Sequence, residues 1–329
     1  MIIDIHGHIT HPELLRRYPM PPSLGDIEGM LDRKSAAGIA LTIVGSPVGF
    51  GTMTRLPGVD NYSQSDDQLA AFHEWLAETV RAHEGRLRAY VYCDPFSGER
   101  GVEAARQRLA QREFVGLIVN TSVRGTFLDD PRANDLFAMA AEANAPILLH
   151  PPAEPAGSAT VGDFRLAEQV ARFNDVTLGL AAILVGGRLD RHPSLKIIGA
   201  TGGGAIAFLS ERLDLAHAPR HWGKDVMTRQ TDAEAARPPS ASLPRLFVDT
   251  ACHNRLSLAA NVEVLGPSQV MFGTDSPPIP TSLETQIGAI IALGLDDGDR
   301  AAVLYANAER VFGLKVPSPL DSSLTKDWQ

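Results

Sequence analysis

The sequence of 329 residues has little cysteine, few aromatic residues and no long apolar run. Its two cysteines, Cys93 and Cys252, are too few to form a disulfide framework in a chain of this length. No apolar stretch is long enough to cross a bilayer, and the first residues lack the charged and apolar regions of a signal peptide. We therefore expect no membrane partner and a reducing, cytoplasmic location.

Basic residues are also scarce relative to acidic ones. The chain has 30 Lys and Arg against 39 Asp and Glu, which gives a net charge of -9. Because binding a phosphate backbone needs clustered lysine and arginine, the composition argues against nucleic acid as a partner. A small carboxylate-bearing substrate stays compatible, since a basic pocket can lie inside an acidic protein.

What the sequence does have is an alternation of short apolar runs with helical patterns. The runs are rich in Ile, Leu and Val and end at Gly, Pro or polar residues, as strands buried on both faces do. The predicted strands are Ile2–His6, Ala40–Gly45, Leu87–Cys93, Val115–Asn120, Ile147–His150, Leu195–Ala200, Leu246–Thr250 and Val270–Gly273. The predicted helices include Asp66–His83, Gly101–Gln111, Pro131–Ala143 and Asp163–Phe173. This order favours an α/β fold, a closed (β/α)8 TIM barrel, with an open doubly wound sheet as the alternative.

Two stretches interrupt the alternation. The proline-rich stretch Thr10–Asp26 predicts a small loop insertion after the first strand, and the polar stretch Arg220–Pro244 predicts an excursion over the barrel mouth. Neither is long enough for a second domain. We therefore expect residues 1–315 to form a single barrel and residues 316–329 to form a C-terminal tail.

The first predicted strand ends in a pair of histidines, His6 and His8. Residues two apart in a strand point to the same side, so both imidazoles can face the carboxyl rim, where active sites of this fold lie. Zinc and similar ions readily take neutral imidazole nitrogen as a ligand. The alternative is a pair of surface or core histidines.

Two more ligand-type residues follow other strands: His150 ends the fifth, and Asp275 comes just after the eighth. A carboxylate there can complete a coordination shell or act as a base towards metal-bound water. Alone, each would pass as an ordinary loop residue. Together, three histidines and a carboxylate at the same rim predict a catalytic metal site with a position left for water or substrate.

Several segments resemble a known family. They are Ile3–His8, Leu149–Pro151, Gly202–Gly204, Phe272–Asp275 and Asn307–Leu314. Nearly the whole chain resembles the amidohydrolase superfamily, in the branch that includes aminocarboxymuconate-semialdehyde decarboxylase. The resemblance implies a (β/α)8 barrel with one divalent metal ion, expected to be Zn²⁺ with Mn²⁺ as the alternative. It also implies that His6, His8, His150 and Asp275 surround the ion.

One position departs from the family pattern. The family usually carries a histidine before the glycine triplet, and here Thr201 takes its place. Threonine can donate a hydrogen bond but does not titrate near neutral pH, so we expect Thr201 to bind substrate rather than to transfer protons. His253, after the seventh strand, is the candidate catalytic replacement, with a loop histidine bonded to backbone as the alternative. Asp249 is a candidate to orient a ligand histidine.

Asn120 and Arg124 are the candidates for binding a substrate carboxylate. Arg124 offers a planar guanidinium, although a surface arginine is the alternative, and Asn120 lies closer to the predicted strand end. His73 and His83 stand beside glutamates on a predicted helix, so we expect both to be solvated.

The reaction has more than one interpretation. The resemblance favours a metal-dependent lyase that decarboxylates a small unsaturated or aromatic carboxylate, with Asp275 handling a proton and an arginine holding the carboxylate. The alternative is a hydrolase of a lactone, amide or cyclic imide, or a hydratase, which uses metal-activated water. A barrel that binds ligand without catalysis is a further interpretation, against which the complete ligand set argues. Relatives are often dimers, so we expect a homodimer.

Overall fold

A computed structural model describes residues 1–53, 55–217 and 237–315 of the chain. Eight parallel strands form one sheet in chain order. They are β1 Ile2–His8, β2 Ile39–Gly45, β3 Leu87–Tyr92, β4 Phe114–Asn120, β5 Ile147–His150, β6 Ile197–Gly199, β7 Phe247–Asp249 and β8 Val270–Met271.

The two edges of this sheet meet and close it. The Ile5 amide donates to the Phe272 carbonyl at 2.9 Å, and the Asp275 amide donates to the His6 carbonyl at 2.8 Å. Gly7 and Ser276 form a parallel bridge beside them. The prediction of a (β/α)8 TIM barrel is therefore confirmed, and the open sheet is excluded.

Helices connect the strands around the barrel. The α-helices are α1 Pro12–Arg17, α2 Ile27–Ala36, α3 Asp66–Ala82, α4 Gly98–Leu109, α5 Asn134–Glu142, α6 Phe164–Leu166, α7 Arg172–Val185, α8 Arg188–Arg191, α9 Ser210–His217, α10 Pro239–Ser242, α11 Arg255–Leu265, α12 Leu283–Ile291, α13 Asp297–Ala301 and α14 Asn307–Phe312. Two π-helical turns, Ala167–Ala171 and Ala302–Ala306, lead into α7 and α14. Among the described residues, no helix has the length and apolar character that a membrane span requires.

Shorter elements complete the connections. The 3-10 helices are Pro22–Gly25, Pro131–Ala133, Ser158–Thr160, Thr201–Gly203, Ile206–Leu209, Leu243–Arg245 and Pro267–Gln269. Just beyond β4, Ser122–Val123 pairs with Thr126–Phe127 in a small antiparallel hairpin.

The predicted strands agree with the observed ones to within one or two residues at each end, whereas the helices show larger differences. The helix predicted over Asp163–Phe173 continues through a π-helical turn and α7 to Val185. The second half of α7 is apolar on several faces, with Leu178 exposed and Leu180 buried, so its helical period is hidden in the sequence.

The interruptions in the alternation have different outcomes. The insertion after β1 is present, but it is partly helical because Pro12 suits the first turn of α1, where its missing N–H costs nothing. Of the predicted excursion, the structure describes residues 237–244, which include α10. Residues 218–236 and the predicted tail, 316–329, lie outside the described residues.

His73 is buried, which corrects the expectation that it is solvated. Its side chain lies on the face of α3 that packs against β3, and its Nε2 accepts a hydrogen bond from the Tyr92 amide at 3.1 Å. Burial and the positive charge of Arg108 lower the pKa of His73 to about 4. His83 is largely covered as well, with Nδ1 3.5 Å from a Glu28 carboxylate oxygen.

Candidate metal centre

Four side chains converge at the carboxyl ends of β1, β5 and β8. They are His6, His8, His150 and Asp275, and one ligand atom from each lies within 4.8 Å of all the others. His8 Nε2 is 3.1 Å from His6 Nε2 and 3.0 Å from Asp275 Oδ1. All three histidines are buried. The convergence that strand alternation and strand ends predict is therefore present.

The outer nitrogens of two imidazoles are held by backbone carbonyls. His8 Nδ1 lies 3.0 Å from the Gly45 oxygen, and His150 Nδ1 lies 2.8 Å from the Pro151 oxygen. Because a carbonyl oxygen only accepts hydrogen bonds, each Nδ1 must carry the proton. In the neutral ring, Nε2 is then left with a lone pair that points into the cluster.

Asp249 holds the third imidazole. Its Oδ2 lies 2.5 Å from His6 Nδ1, so the contact expected between Asp249 and a ligand histidine is present. The same carboxylate accepts backbone N–H groups from Thr201 at 3.2 Å, Gly202 at 2.6 Å and Ala251 at 3.1 Å. These bonds fix the carboxylate, which in turn fixes the ring of His6.

The charges in the cluster favour a cation. Burial alone would lower the pKa of His6, but the Asp275 and Asp249 carboxylates outweigh it and raise that pKa to about 9. Burial would raise the pKa of Asp275, yet His6 and His8 hold it well below its usual range. Burial and the neighbouring histidine charges keep the pKa of His150 far below its ordinary value. The carboxylates thus favour a positive charge within the cluster.

The donor set fits a divalent metal ion. Three imidazole nitrogens and one carboxylate oxygen are ligands that Zn²⁺ and similar ions accept. Lone pairs that face each other at hydrogen-bond distance repel unless a proton or a cation lies between them. The three oriented Nε2 atoms therefore form a site that a metal ion would complete.

A buried ion pair lies behind the metal centre and was not anticipated. Lys34 Nζ lies 2.5 Å from Asp4 Oδ2, and both side chains are almost wholly excluded from solvent. Asp4 also accepts the His6 amide at 3.0 Å, the Thr274 amide at 3.0 Å and the Thr274 hydroxyl at 2.7 Å. Asp4 thereby ties β1 to the residue directly before Asp275.

Comparison with known proteins places the chain in a family. The model of the amidohydrolase family matches residues 3–314. The chain belongs to the amidohydrolase family. A relative is the 2-amino-3-carboxymuconate-6-semialdehyde decarboxylase of Dictyostelium discoideum, 25% identical over 211 residues. That match covers 64% of this chain and 56% of the relative, so the chain spans little more than half the relative's length.

Solved structures of other proteins share the barrel of this amidohydrolase. The 5-carboxyvanillate decarboxylase of Sphingomonas paucimobilis superposes with a TM-score of 0.79 at 19% identity, covering 95% of this chain and 99% of that one. A second structure is that of a dihydroxybenzoic acid decarboxylase from a Polaromonas species, with bound manganese and the inhibitor 2-nitroresorcinol. It superposes with a TM-score of 0.73 at 17% identity, covering 95% of this chain and 97% of that one. At these identities the likeness establishes the fold.

Thr201 lies at the rim of this amidohydrolase in a strained conformation. Its φ of 55° is in the left-handed region, which β-branched residues rarely adopt. Its amide donates to Asp249, while its hydroxyl has no hydrogen-bond partner among residues 1–53, 55–217 and 237–315. The glycines that follow serve close packing: a Cβ on Gly202 would lie 2.5 Å from Cys252 Cβ. Thr201 thus stands beside the carboxylate that orients His6.

His253 is not brought into the cluster. It follows β7 with a φ of 49°, and its side chain is exposed to solvent. Within the described part of the chain its ring makes no hydrogen bond. The structure therefore offers no contact in support of its predicted role as an acid–base group.

The two predicted substrate-binding residues near β4 lie in different surroundings. Asn120 is buried, pairs in register with His150, and donates from Nδ2 to the Pro47 carbonyl at 2.9 Å. Arg124 is exposed in the turn of the hairpin, where its Nη2 lies 2.5 Å from an Asp60 carboxylate oxygen. Asn120 is thus next to the metal centre, whereas Arg124 is engaged by another loop.

Sequence reasoning missed a second arginine. Arg172 begins α7 and is paired with Glu168 in the preceding π-helical turn. Asp275 raises the pKa of both side chains, although burial is the larger influence on each. A glutamate four residues before an arginine is also the pattern of an ordinary surface pair, so the sequence held no signal that separates the two.

Proposed function

We propose that this amidohydrolase is a metal-dependent decarboxylase that removes carbon dioxide from a small unsaturated or aromatic carboxylate. The observation that carries the proposal is the convergence of His6, His8, His150 and Asp275 in a largely buried cluster at the carboxyl rim. The relatives support the choice of reaction, since the decarboxylases named above match this chain in sequence or in fold.

His6, His8, His150 and Asp275 would hold one divalent ion, with zinc as the first expectation and manganese as the alternative. Such an ion, when bound, supplies a Lewis acid that withdraws electron density from a substrate oxygen. The bonds that Asp249 and the two backbone carbonyls make to the imidazoles keep the rings oriented before substrate arrives.

The burial of the cluster favours loss of carbon dioxide. A carboxylate gives up stabilising water when it binds at a buried site, whereas carbon dioxide is uncharged and needs little solvation. As the carbon–carbon bond breaks, carbon dioxide leaves and the carbon it vacates must take up a proton.

We assign that proton transfer to Asp275. It is the most exposed member of the cluster, with 19% of its side chain accessible, so solvent reaches it most readily. Its Oδ1 contacts His8, which leaves Oδ2 to take a proton from solvent water and pass it to the vacated carbon. Thr201 cannot take this part because a hydroxyl does not titrate near neutral pH.

The remaining predicted properties stay predictions. They are substrate contacts from Asn120, Arg124 and Thr201, an acid–base part for His253, a single barrel over 1–315, a homodimer and a cytoplasmic location. Measurement of the native mass tests the homodimer. Substitution of His253 by Gln tests its catalytic part, because the exposed side chain can be changed without disturbing the core.

The reaction is tested in deuterium oxide. Protein loaded with Zn²⁺ or Mn²⁺ is incubated with 5-carboxyvanillate or 2,6-dihydroxybenzoate, and carbon dioxide and the aromatic product are quantified. We expect equal amounts of both, with deuterium at the vacated carbon. Asp275→Asn should abolish this turnover, while Asp163→Asn, a change at an exposed carboxylate, should not. Incorporation of labelled solvent oxygen into the product of a lactone or amide, without carbon dioxide release, would instead indicate a hydrolase.

A further inference from the structure

A largely buried ion pair lies on the helical segment that follows β5. Glu168 is in the π-helical turn Ala167–Ala171, and Arg172 begins α7 directly after it. Arg172 Nη1 donates to Glu168 Oε2 at 2.9 Å, and Nη2 lies 2.7 Å from Oε1, so both carboxylate oxygens are within ion-pair distance of the guanidinium. Only 17% of the Arg172 side chain is exposed. Single π-helical turns are rare and occur often at functional sites.

The start of α7, which carries Arg172, packs against the turn after β6 at the barrel rim, where a Cβ on Gly204 would lie 2.8 Å from the Phe173 carbonyl oxygen. Burial lowers the pKa of Arg172, while the Glu168 and Asp275 charges act in the opposite direction. Burial raises the pKa of Glu168, which Arg172 lowers and Asp275 raises further. The charge of Asp275 thus acts on both side chains, as expected for groups that lie at the same rim of the barrel.

The guanidinium is fixed from two directions. Besides Glu168 on its own helix, Arg172 binds the Met53 carbonyl in the loop after β2, with Nη2 donating at 3.1 Å. A side chain held in this way gives up little conformational freedom when it binds a ligand. By contrast, Arg124, the arginine expected from the sequence, is 61% exposed and paired with Asp60.

Arg172 retains donors for a ligand. A guanidinium has five N–H groups, of which one on Nη1 and one on Nη2 donate the hydrogen bonds to Glu168 and to the Met53 carbonyl. Within the described residues its Nε–H has no acceptor. An anionic oxygen can therefore bond to Arg172 without displacing Glu168, which keeps the buried charge balanced when no ligand is present.

The chemistry of decarboxylation limits which anion this can be. The departing carboxylate loses its charge as it becomes carbon dioxide, so a cation paired with it would stabilise the substrate more than the transition state. A carboxylate that stays on the substrate keeps its charge throughout. Pairing with that group is equally strong in both states and serves to orient the substrate.

We propose that Arg172 binds a second carboxylate, which the reaction leaves in place, and that the substrate is therefore a dicarboxylate. The inference rests on the proposed decarboxylase function and on the packing of the start of α7, which carries Arg172, against the turn after β6 at the rim. Glu168 and the Met53 carbonyl are the groups that position the guanidinium.

Binding of two simple probes to the metal-loaded protein tests this inference. Isophthalate carries two carboxylates on a benzene ring and benzoate carries one. By titration calorimetry we expect the wild-type protein to bind isophthalate at least about tenfold more tightly than benzoate, in line with a charge-assisted contact. Arg172→Gln should remove this preference and leave benzoate affinity unchanged. Arg172→Lys should keep part of it, because the charge remains without the planar donors.

Arg165 provides a control for the substitution of Arg172. Arg165→Gln removes an arginine of the same helical segment that is 88% exposed and paired with Asp163, and it should alter neither affinity. Equal binding of the two probes by the wild-type protein overturns the inference without recourse to any variant. So does an Arg172→Gln variant that retains its metal and the preference, or one whose affinity for benzoate falls as far as its affinity for isophthalate.

These readouts are separate from turnover. Should the protein bind isophthalate through Arg172 but release no carbon dioxide from any carboxylate, the proposed reaction fails and the carboxylate subsite stands. Should it decarboxylate monocarboxylates with Arg172→Gln as active as the wild type, the reaction stands and the dicarboxylate inference fails.

Discussion

His6 Nδ1 lies 2.5 Å from Asp249 Oδ2, although the two residues are 243 positions apart in the chain. This contact joins the first strand of the barrel to the seventh and sets the direction of the His6 lone pair. Both side chains are fully buried, so water does not compete for the bond. The affinity of the site for a metal ion therefore depends on Asp249, although Asp249 is not one of the proposed ligands.

Asp249→Asn tests this dependence. The amide keeps the size of the side chain but removes its charge, so His6 becomes a weaker ligand and its ring is less firmly oriented. We expect metal affinity to fall by about 10- to 100-fold, measured by competition with a chromophoric chelator. Asp163→Asn, at an exposed carboxylate, is the matched control. Unchanged affinity in Asp249→Asn would show that the contact is irrelevant to metal binding.

The Asp4–Lys34 pair predicts a large effect on stability. Lys34→Met removes the cation but keeps the length of the side chain, which leaves the Asp4 carboxylate buried without its charge partner. We expect a loss of about 3–5 kcal/mol in the free energy of unfolding, measured by urea denaturation. The double variant with Asp4→Asn should recover part of that loss. A Lys34→Met protein as stable as the wild type would show that Lys34 does not stabilise the buried Asp4 carboxylate.

His73 predicts how stability changes with pH. The pKa of His73 is about 4 in the folded protein, and its ordinary value is 6.5. Between these two pH values the imidazole is therefore protonated in the unfolded chain and neutral in the folded protein. The contribution of His73 is therefore complete above pH 6.5 and is lost as the pH falls towards 4. Between about pH 8 and pH 5, the loss of this contribution lowers the free energy of unfolding by about 2 kcal/mol.

His73→Gln isolates this contribution. Glutamine can still accept the Tyr92 amide but does not titrate, so its free energy of unfolding should fall less between pH 8 and pH 5 than that of the wild type. Denaturant titrations at the two pH values measure the difference. Identical pH profiles for the two proteins would mean that His73 titrates as it does in the unfolded chain.

Thr201→Gly should change stability and activity in opposite directions. Glycine adopts a φ of 55° without the steric cost that a β-branched residue incurs, so Thr201→Gly should raise the free energy of unfolding by up to about 1 kcal/mol. Loss of the hydroxyl at the rim should lower kcat/KM. Thermal melts and kinetics measure the two quantities. A variant that is less stable and equally active would show that the hydroxyl has a structural part instead.

The sequence predicted those features that follow from local pattern. Apolar runs bounded by turn residues located the eight strands, and strand ends located His6, His8, His150 and Asp275, because parallel strands of a barrel bring their carboxyl ends to one rim. Asp249 was found in the same way. The positions of these residues follow from the strands alone and do not depend on how the helices pack on the barrel.

What the sequence did not reveal depends on tertiary packing. Lys34 and Arg172 occupy helices, where charged residues usually face water, and only the fold shows that both are buried among acidic partners. His73 was misjudged for the same reason. Arg124 and His253 follow strands as expected, but their side chains point to solvent, which a strand-end rule cannot foresee.

Metal analysis of purified protein tests whether His6, His8, His150 and Asp275 bind a divalent ion. We expect a single divalent ion per chain in the wild type by plasma mass spectrometry, and a large loss in His150→Ala, which removes one ligand contributed by β5. His73→Ala, at a buried histidine outside the cluster, should retain the ion. If chelation removed all metal and carbon dioxide release continued, or if His150→Ala kept a full complement, the account of this site would be wrong.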